Sequence, residues 1–122
     1  MSYEEKATAF HEGGCNCCQA VLMCCAEQYG LTEEQAYRLG AFFGSGMRIG
    51  QVCGAVTGAL MALGLRYGDE NNRKNKASKA FLDAFRAEHG SVVCRELLAQ
   101  NKEKRCPIFI NYAAKYLEDD CI

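Results

Sequence analysis

The most uniformly hydrophobic stretch of the chain runs from residue 51 to residue 67. No charged residue occurs from Val52 to Leu65, and the apolar side chains would fall on every side of a helix. A helix that is apolar all round is typical of a buried position. The stretch is shorter than the roughly 20 apolar residues that span a bilayer. We therefore expect a buried central helix (51–67) with other helices packed around it.

The remaining apolar positions recur at helical spacing between polar and glycine breaks. Ser2, Asn16 and Thr32 are typical N-cap residues, and Thr32 with Gln35 has the form of a capping box. No segment alternates for long enough to predict a β-strand. The pattern predicts an all-α fold, a single-domain helical bundle of about five to six helices.

Several boundaries follow from the same pattern. We expect the second helix to run from Cys17 to Tyr29 and the third to continue through Phe43. Residues 69–76 and 102–105 are expected to be charged connections. The loop 44–50 is expected to be a tight packing turn. It could instead bind an anion through backbone N–H groups and Arg48, but its spacing matches neither a phosphate loop nor a dinucleotide motif.

Length and charge limit the classes of function. The chain has 122 residues, so we expect 1–122 to form a single all-helical, cysteine-rich domain. A formal net charge of -1 gives no basic field for nucleic acid. The charged N-terminal segment lacks an apolar signal region, which favours a cytoplasmic protein without membrane association. No Ser-His-Asp arrangement or nucleotide loop indicates a hydrolase or kinase, and whether the protein is an enzyme stays open.

The chain contains 9 cysteines, and these carry the chemistry. Free cysteine is common as a small core residue, but this number in a short chain favours metal or redox chemistry. Backbone N–H groups and the helix dipole stabilise a thiolate at a helix start. If the N-termini of four helices converged, their positive ends would stabilise the thiolates that bind a metal ion or a cluster. Four cysteines lie within about the first turn of separate predicted helices: Cys17, Cys53, Cys94 and Cys106.

The other cysteines are either secondary candidates for ligand or redox roles or residues with a packing role only. Cys15 and Cys18 have the spacing of a redox motif without its strand-helix context, and either could replace Cys17 as a ligand or form a disulfide with it. Cys24 and Cys25 are interpreted as core or surface filler. His89 precedes a glycine, where a positive charge at a helix C-terminus is favourable.

Four segments together resemble a known family: Gly14–Val21, Val52–Leu60, Cys94–Leu98 and Lys104–Pro107. From about Phe10 to Leu117 the chain resembles the C_GCAxxG_C_C family, which is described as redox-active. The resemblance implies that the family cysteines fall on Cys17, Cys53, Cys94 and Cys106, with Gly58 as the motif glycine. The family is similar to a domain of split-Soret cytochromes, for which an iron–sulfur cluster on four cysteines is proposed. No Cys-x-x-Cys-His occurs here, so covalent haem is not implied.

Three hypotheses follow for these four cysteines. The first is an iron–sulfur cluster for electron transfer with a redox partner protein. The second is thiol–disulfide chemistry without a cofactor, in pairs such as Cys17–Cys53 and Cys94–Cys106. The third is a structural zinc site that stabilises a non-enzymatic helical interaction module. The small residues of the central helix would also permit a homodimer.

Overall fold

The computed structural model describes residues 2–68, 76–100 and 106–120. The expected charged connections at 69–75 and 102–105 lie outside these ranges, as does Cys121. The described residues form seven α-helices: α1 (Tyr3–Glu12), α2 (Cys17–Met23), α3 (Glu33–Leu39), α4 (Gly54–Tyr67), α5 (Ala77–His89), α6 (Cys94–Gln100) and α7 (Cys106–Asp120). The all-α prediction is confirmed.

The helix boundaries are partly as expected. Capping boxes begin α1, α2 and α3 at Ser2, Asn16 and Thr32. The expected second helix ends early at Met23 and is followed by a 3-10 helix, Ala26–Tyr29. The short helix expected at Cys94 is present as α6, and the described α-helices are slightly more numerous than the expected five to six.

The core is built around the contact between α2 and α4. Residues 18–23 of α2 are all buried, and α2 packs against α1, α3, α4 and α7. At Gly58 of α4, an added Cβ would lie 2.8 Å from the backbone oxygen of Cys18. The two helix backbones therefore touch, because Gly58 has no side chain to separate them.

The expectation that α4 is buried on every side is wrong. Leu65 is 40% exposed, and a Cβ at Gly64 would meet nothing within 4 Å. A small domain has too little polar surface to cover itself, so part of an apolar helix can face solvent. The helix also begins at Gly54 rather than residue 51, since Val52 forms an isolated antiparallel bridge with Val93. Among the described residues no strand extends this bridge.

The third helix is shorter than expected. It ends at Leu39, and Phe42 is 74% exposed. The side chain of Asn16 donates hydrogen bonds to the carbonyls of Gly40 (3.1 Å) and Ala41 (3.2 Å). These two hydrogen bonds anchor the start of α2 to the segment after α3. The helical conformation of α3 therefore does not continue to Phe43.

Aromatic side chains join α5 to α7. His89 lies among the rings of Phe85, Phe109 and Tyr112, with ring centroids 4.6, 5.0 and 4.9 Å away. Burial lowers the pKa of His89, so the expected positive charge at this helix end is wrong. The ring packs as a neutral aromatic group.

No helix in the described part of the chain combines the length and the hydropathy that crossing a bilayer requires.

Candidate functional site

A cavity of about 190 Å³ lies where four helix starts meet. It is lined by Cys17 at the start of α2, Cys53 before α4, Cys94 at the start of α6 and Cys106 at the start of α7. Cys53 and Cys94 are buried, and Cys17 and Cys106 are half-buried. The structure thus brings together all four residues that the sequence singled out.

The bridge between Val52 and Val93 holds two of these cysteines side by side. The backbone N–H of Cys53 donates to the carbonyl of Val92 (2.8 Å), and the N–H of Cys94 donates to the carbonyl of Gln51. Each chain segment leaves this bridge directly into a helix. The backbones of Cys53 and Cys94 are therefore held side by side by main-chain pairing.

Cys17 is positioned by the anchored start of α2. The Asn16 side chain accepts from the N–H of Gln19 (2.8 Å), and the Gln19 side chain donates to the carbonyl of Tyr37 (2.8 Å). On the opposite side, a Cβ at Gly54 would lie 3.0 Å from the Cβ of Cys17. The missing side chain at Gly54 lets the starts of α2 and α4 approach closely.

The loop before α4 is a packing turn, as expected. Gly46 has φ +63°, and a Cβ there would lie 2.5 Å from the backbone nitrogen of Gln51 and 2.9 Å from the Cβ of Cys94. Ser45, Met47 and Arg48 also have positive φ, which costs a non-glycine residue about 1–3 kcal/mol. Arg48 is exposed and lies in a separate surface hollow with Asn16 and Ser45, outside the cysteine cavity.

Burial and the neighbouring cysteines raise the pKa values of Cys17, Cys53 and Cys94. Burial raises the pKa of Cys53 to about 11, although the N–H groups of Ala55 and Val56 act in the opposite direction. A hydrogen bond with the Cys106 thiol, followed by burial and the other cysteines, raises the pKa of Cys17. Burial and Cys106 also raise the pKa of Cys94. The N–H groups at the start of α4 thus act on Cys53 as expected, but burial outweighs them and the thiol stays protonated.

These pKa values decide what the thiols can do without a bound cation. With a pKa of about 11, about one Cys53 thiol in ten thousand is ionised at pH 7. Thiol–disulfide exchange requires the thiolate and is slow at such a residue. A cation in the cavity would replace the protons and remove the repulsion between neighbouring sulfurs.

The donor set fits a cluster better than a single ion. A zinc ion with bonds of about 2.3 Å needs its sulfurs roughly 3.8 Å apart. In the described ranges no three His, Cys, Asp or Glu side chains converge closely enough to hold one metal ion. The four cysteines instead line a cavity several times larger than an ion, and four cysteine thiolates are the usual ligands of an iron–sulfur cluster.

The secondary candidates lie elsewhere. The Cys15 sulfur is 3.9 Å from the sulfur of Met23, and Cys18 is fully buried with its sulfur 4.0 Å from that of Met61. Neither Cys15 nor Cys18 lines the cavity. Gly58 does not line it either, and its place in the α2–α4 contact gives it a packing role.

The sequence-based prediction did not include the apolar wall of the cavity. Leu97 and Leu98 follow Cys94 by three and four residues, and Phe109 follows Cys106 by three. Residues at these spacings share one helix face, so the helix period could have identified them. Ser45 also lines the cavity, but no local pattern indicates it because its position depends on the strained loop.

One comparison with known proteins covers the residues of this cavity. No curated protein and no solved structure matches the chain. A family model described as "Putative redox-active protein (C_GCAxxG_C_C)" matches residues 15–119. The match covers most of the chain and includes the four cysteines of the cavity. The chain therefore belongs to the C_GCAxxG_C_C family of redox-active proteins.

Proposed function

We propose that the protein is an electron carrier that binds an iron–sulfur cluster through Cys17, Cys53, Cys94 and Cys106. The observation that carries this proposal is that four cysteines, distant in sequence, line one cavity. Cysteine thiolates are the usual ligands of such clusters, and a bound cluster supplies one-electron transfer. The role of the chain is to hold the sulfurs, exclude water and set the local polarity.

The surroundings of the sulfurs support this role. Leu97, Leu98 and Phe109 form an apolar wall, which limits the access of water. The backbone N–H groups of Ala55 and Val56 act on the sulfur of Cys53 and lower its pKa against the effect of burial. Hydrogen bonds to ligand sulfurs and solvent exclusion are two ways in which a protein sets a cluster's reduction potential.

An electron carrier also needs a redox partner protein. Ser45 at the cavity edge lies between the exposed side chains of Phe42 and Ile49 in the sequence. Exposed apolar side chains beside a site are typical of contact surfaces. We expect the partner to approach on this side of the cavity.

One contact favours thiol–disulfide chemistry as the second candidate. The thiols of Cys17 and Cys106 are hydrogen bonded to each other, which is a different pairing from the two expected. The raised pKa of Cys17 opposes rapid exchange, so we rank this function below electron transfer.

Anaerobic purification with visible absorption, iron and sulfide analysis of the same sample tests the proposal. We expect broad visible absorption and bound iron and sulfide, either as purified or after reconstitution. Cys53→Ser should abolish both, because the serine oxygen is a poor replacement for a buried thiolate. Cys15→Ser is the matched control: its cysteine lies in the segment of Cys17 but outside the cavity, so the spectrum should persist.

The alternatives give different results in the same experiment. A colourless protein with stoichiometric zinc would establish the structural zinc site. A metal-free protein that resists reconstitution and forms a Cys17–Cys106 disulfide would establish thiol chemistry. Either result would overturn the cluster proposal.

A further inference from the structure

Two arginines lie at the edge of the cysteine cavity. Arg48 shares a surface hollow with Ser45, and Ser45 also lines the cavity. Arg95 directly follows Cys94, and a Cβ added at Gly50 would lie 3.3 Å from the Cβ of Arg95. Both arginines are exposed. The loop at this edge of the cavity therefore has two positive charges beside it.

These two charges are not neutralised within the described part of the chain. Neither guanidinium forms an ion pair there, whereas Arg66 pairs with Asp120 at 2.6 Å. Glu96 follows Arg95 and partly offsets its charge, but the Glu96 carboxylate accepts a hydrogen bond from the Ser91 hydroxyl at 2.6 Å. The two arginines can thus bond to a group from outside the chain.

The opposite end of the molecule is acidic. α7 begins at Cys106 in the cavity and ends at Asp120, about 20 Å away at a rise of about 1.5 Å per residue. The N–H of Tyr3 donates to the Glu118 carboxylate at 2.6 Å, which places the start of α1 at this same end. Acidic side chains outnumber basic ones here. The acidic group is Glu4, Glu5, Glu118, Asp119 and Asp120, and the basic group is Lys6, Arg66 and Lys115. The field of these described residues turns the cavity end towards a negatively charged partner.

Apolar side chains accompany the two arginines. Phe42 and Ile49 are 74% and 67% exposed. The N–H of Met47 donates to the carbonyl of Phe43 at 3.2 Å, so the segment between Phe42 and Ile49 turns back on itself. Exposed aromatic and apolar side chains with arginine beside them have the composition of a protein contact surface. Two arginines on a chain of net charge -1 give too small a field for nucleic acid, so an acidic protein is the better match.

We propose that Arg48 and Arg95, together with Phe42 and Ile49, form the surface on which the acidic face of a redox partner protein docks. Carboxylates of the partner bond to the two guanidinium groups, and the partner covers the apolar side chains. One electron then passes between the cluster and the partner's redox centre, so one centre is oxidised as the other is reduced and no bond forms. This docking role rests on the proposed function of electron transfer.

Binding to an acidic plant-type ferredoxin tests the charged part of this surface. The ferredoxin is immobilised, and binding of the full chain is measured by biolayer interferometry at low and at physiological salt, with basic cytochrome c as the opposite probe. We expect the wild type to bind the ferredoxin and not the cytochrome. The Arg48→Gln, Arg95→Gln double variant should bind the ferredoxin about tenfold more weakly at low salt.

Two further variants complete the comparison. Lys79→Gln, Lys115→Gln removes the same amount of charge from exposed positions of α5 and α7, and this control should bind like the wild type. Phe42→Ala, Ile49→Ala should weaken binding at both salt concentrations, because salt does not screen apolar contacts. All the substituted side chains are exposed, so we expect these variants to fold.

The binding measurement needs no cluster and therefore separates docking from electron transfer. An arginine variant that binds ferredoxin as tightly as the wild type would overturn the docking surface and leave a cluster-bearing electron carrier in place. Weaker binding by the arginine variant of a chain that holds no iron or sulfide would support the surface and overturn electron transfer. A wild type that binds cytochrome c at least as tightly as ferredoxin, or binds no ferredoxin at low salt, would also overturn the docking surface.

Discussion

Cys53 lies at the N-cap of α4, where the N–H groups of Ala55 and Val56 lower the pKa of its thiol, yet burial raises that pKa to about 11. The sequence indicated both a helix start and a buried helix here, but not which of the two effects is larger. Desolvation of a charged sulfur costs more than two N–H contacts return in this cavity. The reduced thiol is therefore neutral at physiological pH, and its chemistry depends on what enters the cavity.

This pKa gives a test of stability at high pH. In reduced, metal-free protein, we expect the free energy of unfolding to fall between pH 9.0 and about 11. The unfolded cysteine loses its proton near 9.0, whereas folded Cys53 keeps it until about 11, so rising pH favours the unfolded state. The difference between these two pKa values corresponds to about 2–3 kcal/mol in the free energy of unfolding.

Denaturant unfolding of the wild type and Cys53→Ala over this pH range isolates the contribution. Removal of the side chain lowers the free energy of unfolding by the same amount at every pH. Ionisation of Cys53 is therefore seen only as a difference in slope between the two plots of unfolding free energy against pH. Parallel profiles would mean that Cys53 ionises at its ordinary pKa.

At the scale of elements, glycines determine how closely the site-bearing helices approach. Gly58 lets α4 rest on the backbone of α2, and Gly54 does the same beside Cys17. This close contact keeps the starts of both helices, and the sulfurs on them, within one cavity. The motif glycine is thus explained by packing and needs no part in the redox chemistry.

Two substitutions in α4 test this interpretation. Gly58→Ala places a Cβ 2.8 Å from the backbone oxygen of Cys18, and we expect it to destabilise the protein by about 1–3 kcal/mol. Gly64→Ala, in the same helix but facing open space, should stabilise it by up to about 1 kcal/mol through helix propensity. Denaturant unfolding measures both, and equal stability of the two variants would rule out the close contact.

At the scale of the whole molecule, one arginine ties three elements together. Arg66 at the end of α4 bonds to Asp120 (2.6 Å) and to the carbonyl of Leu117 (3.2 Å) in α7. Its Nε also donates to the hydroxyl of Tyr29 in the 3-10 helix. The Arg66 side chain is only 11% exposed, so these bonds are partly shielded from water.

Removal of this arginine should therefore be costly. We expect Arg66→Ala to lower the free energy of unfolding by about 1.5–3 kcal/mol, the range for hydrogen bonds to charged groups. The exposed pair of Lys115 and Asp119 (3.9 Å) offers a control, since Lys115→Ala should change stability by about 0.5 kcal/mol or less. Thermal unfolding compares the two, and similar losses would show that Arg66 acts only as a surface charge.

The sequence by itself determined the features that depend on near neighbours in the chain. Capping boxes satisfy the first N–H groups of a helix from within four residues, so the starts of α1, α2 and α3 were predictable. The same local signals, with the cysteine positions, identified the four cysteines among the residues that line the cavity.

Only the tertiary structure decided the features that depend on distant contacts. The early end of α3 follows from hydrogen bonds to Asn16, and the neutral state of His89 follows from the rings of α7. The closeness of Cys53 and Cys94 depends on a bridge between segments forty residues apart. A second cavity, lined in part by Cys24, Cys25 and Lys6, likewise joins α1 to the end of α2. The local pattern indicated a buried helix, but the degree of burial at one side chain and the contacts it makes with distant segments depend on packing.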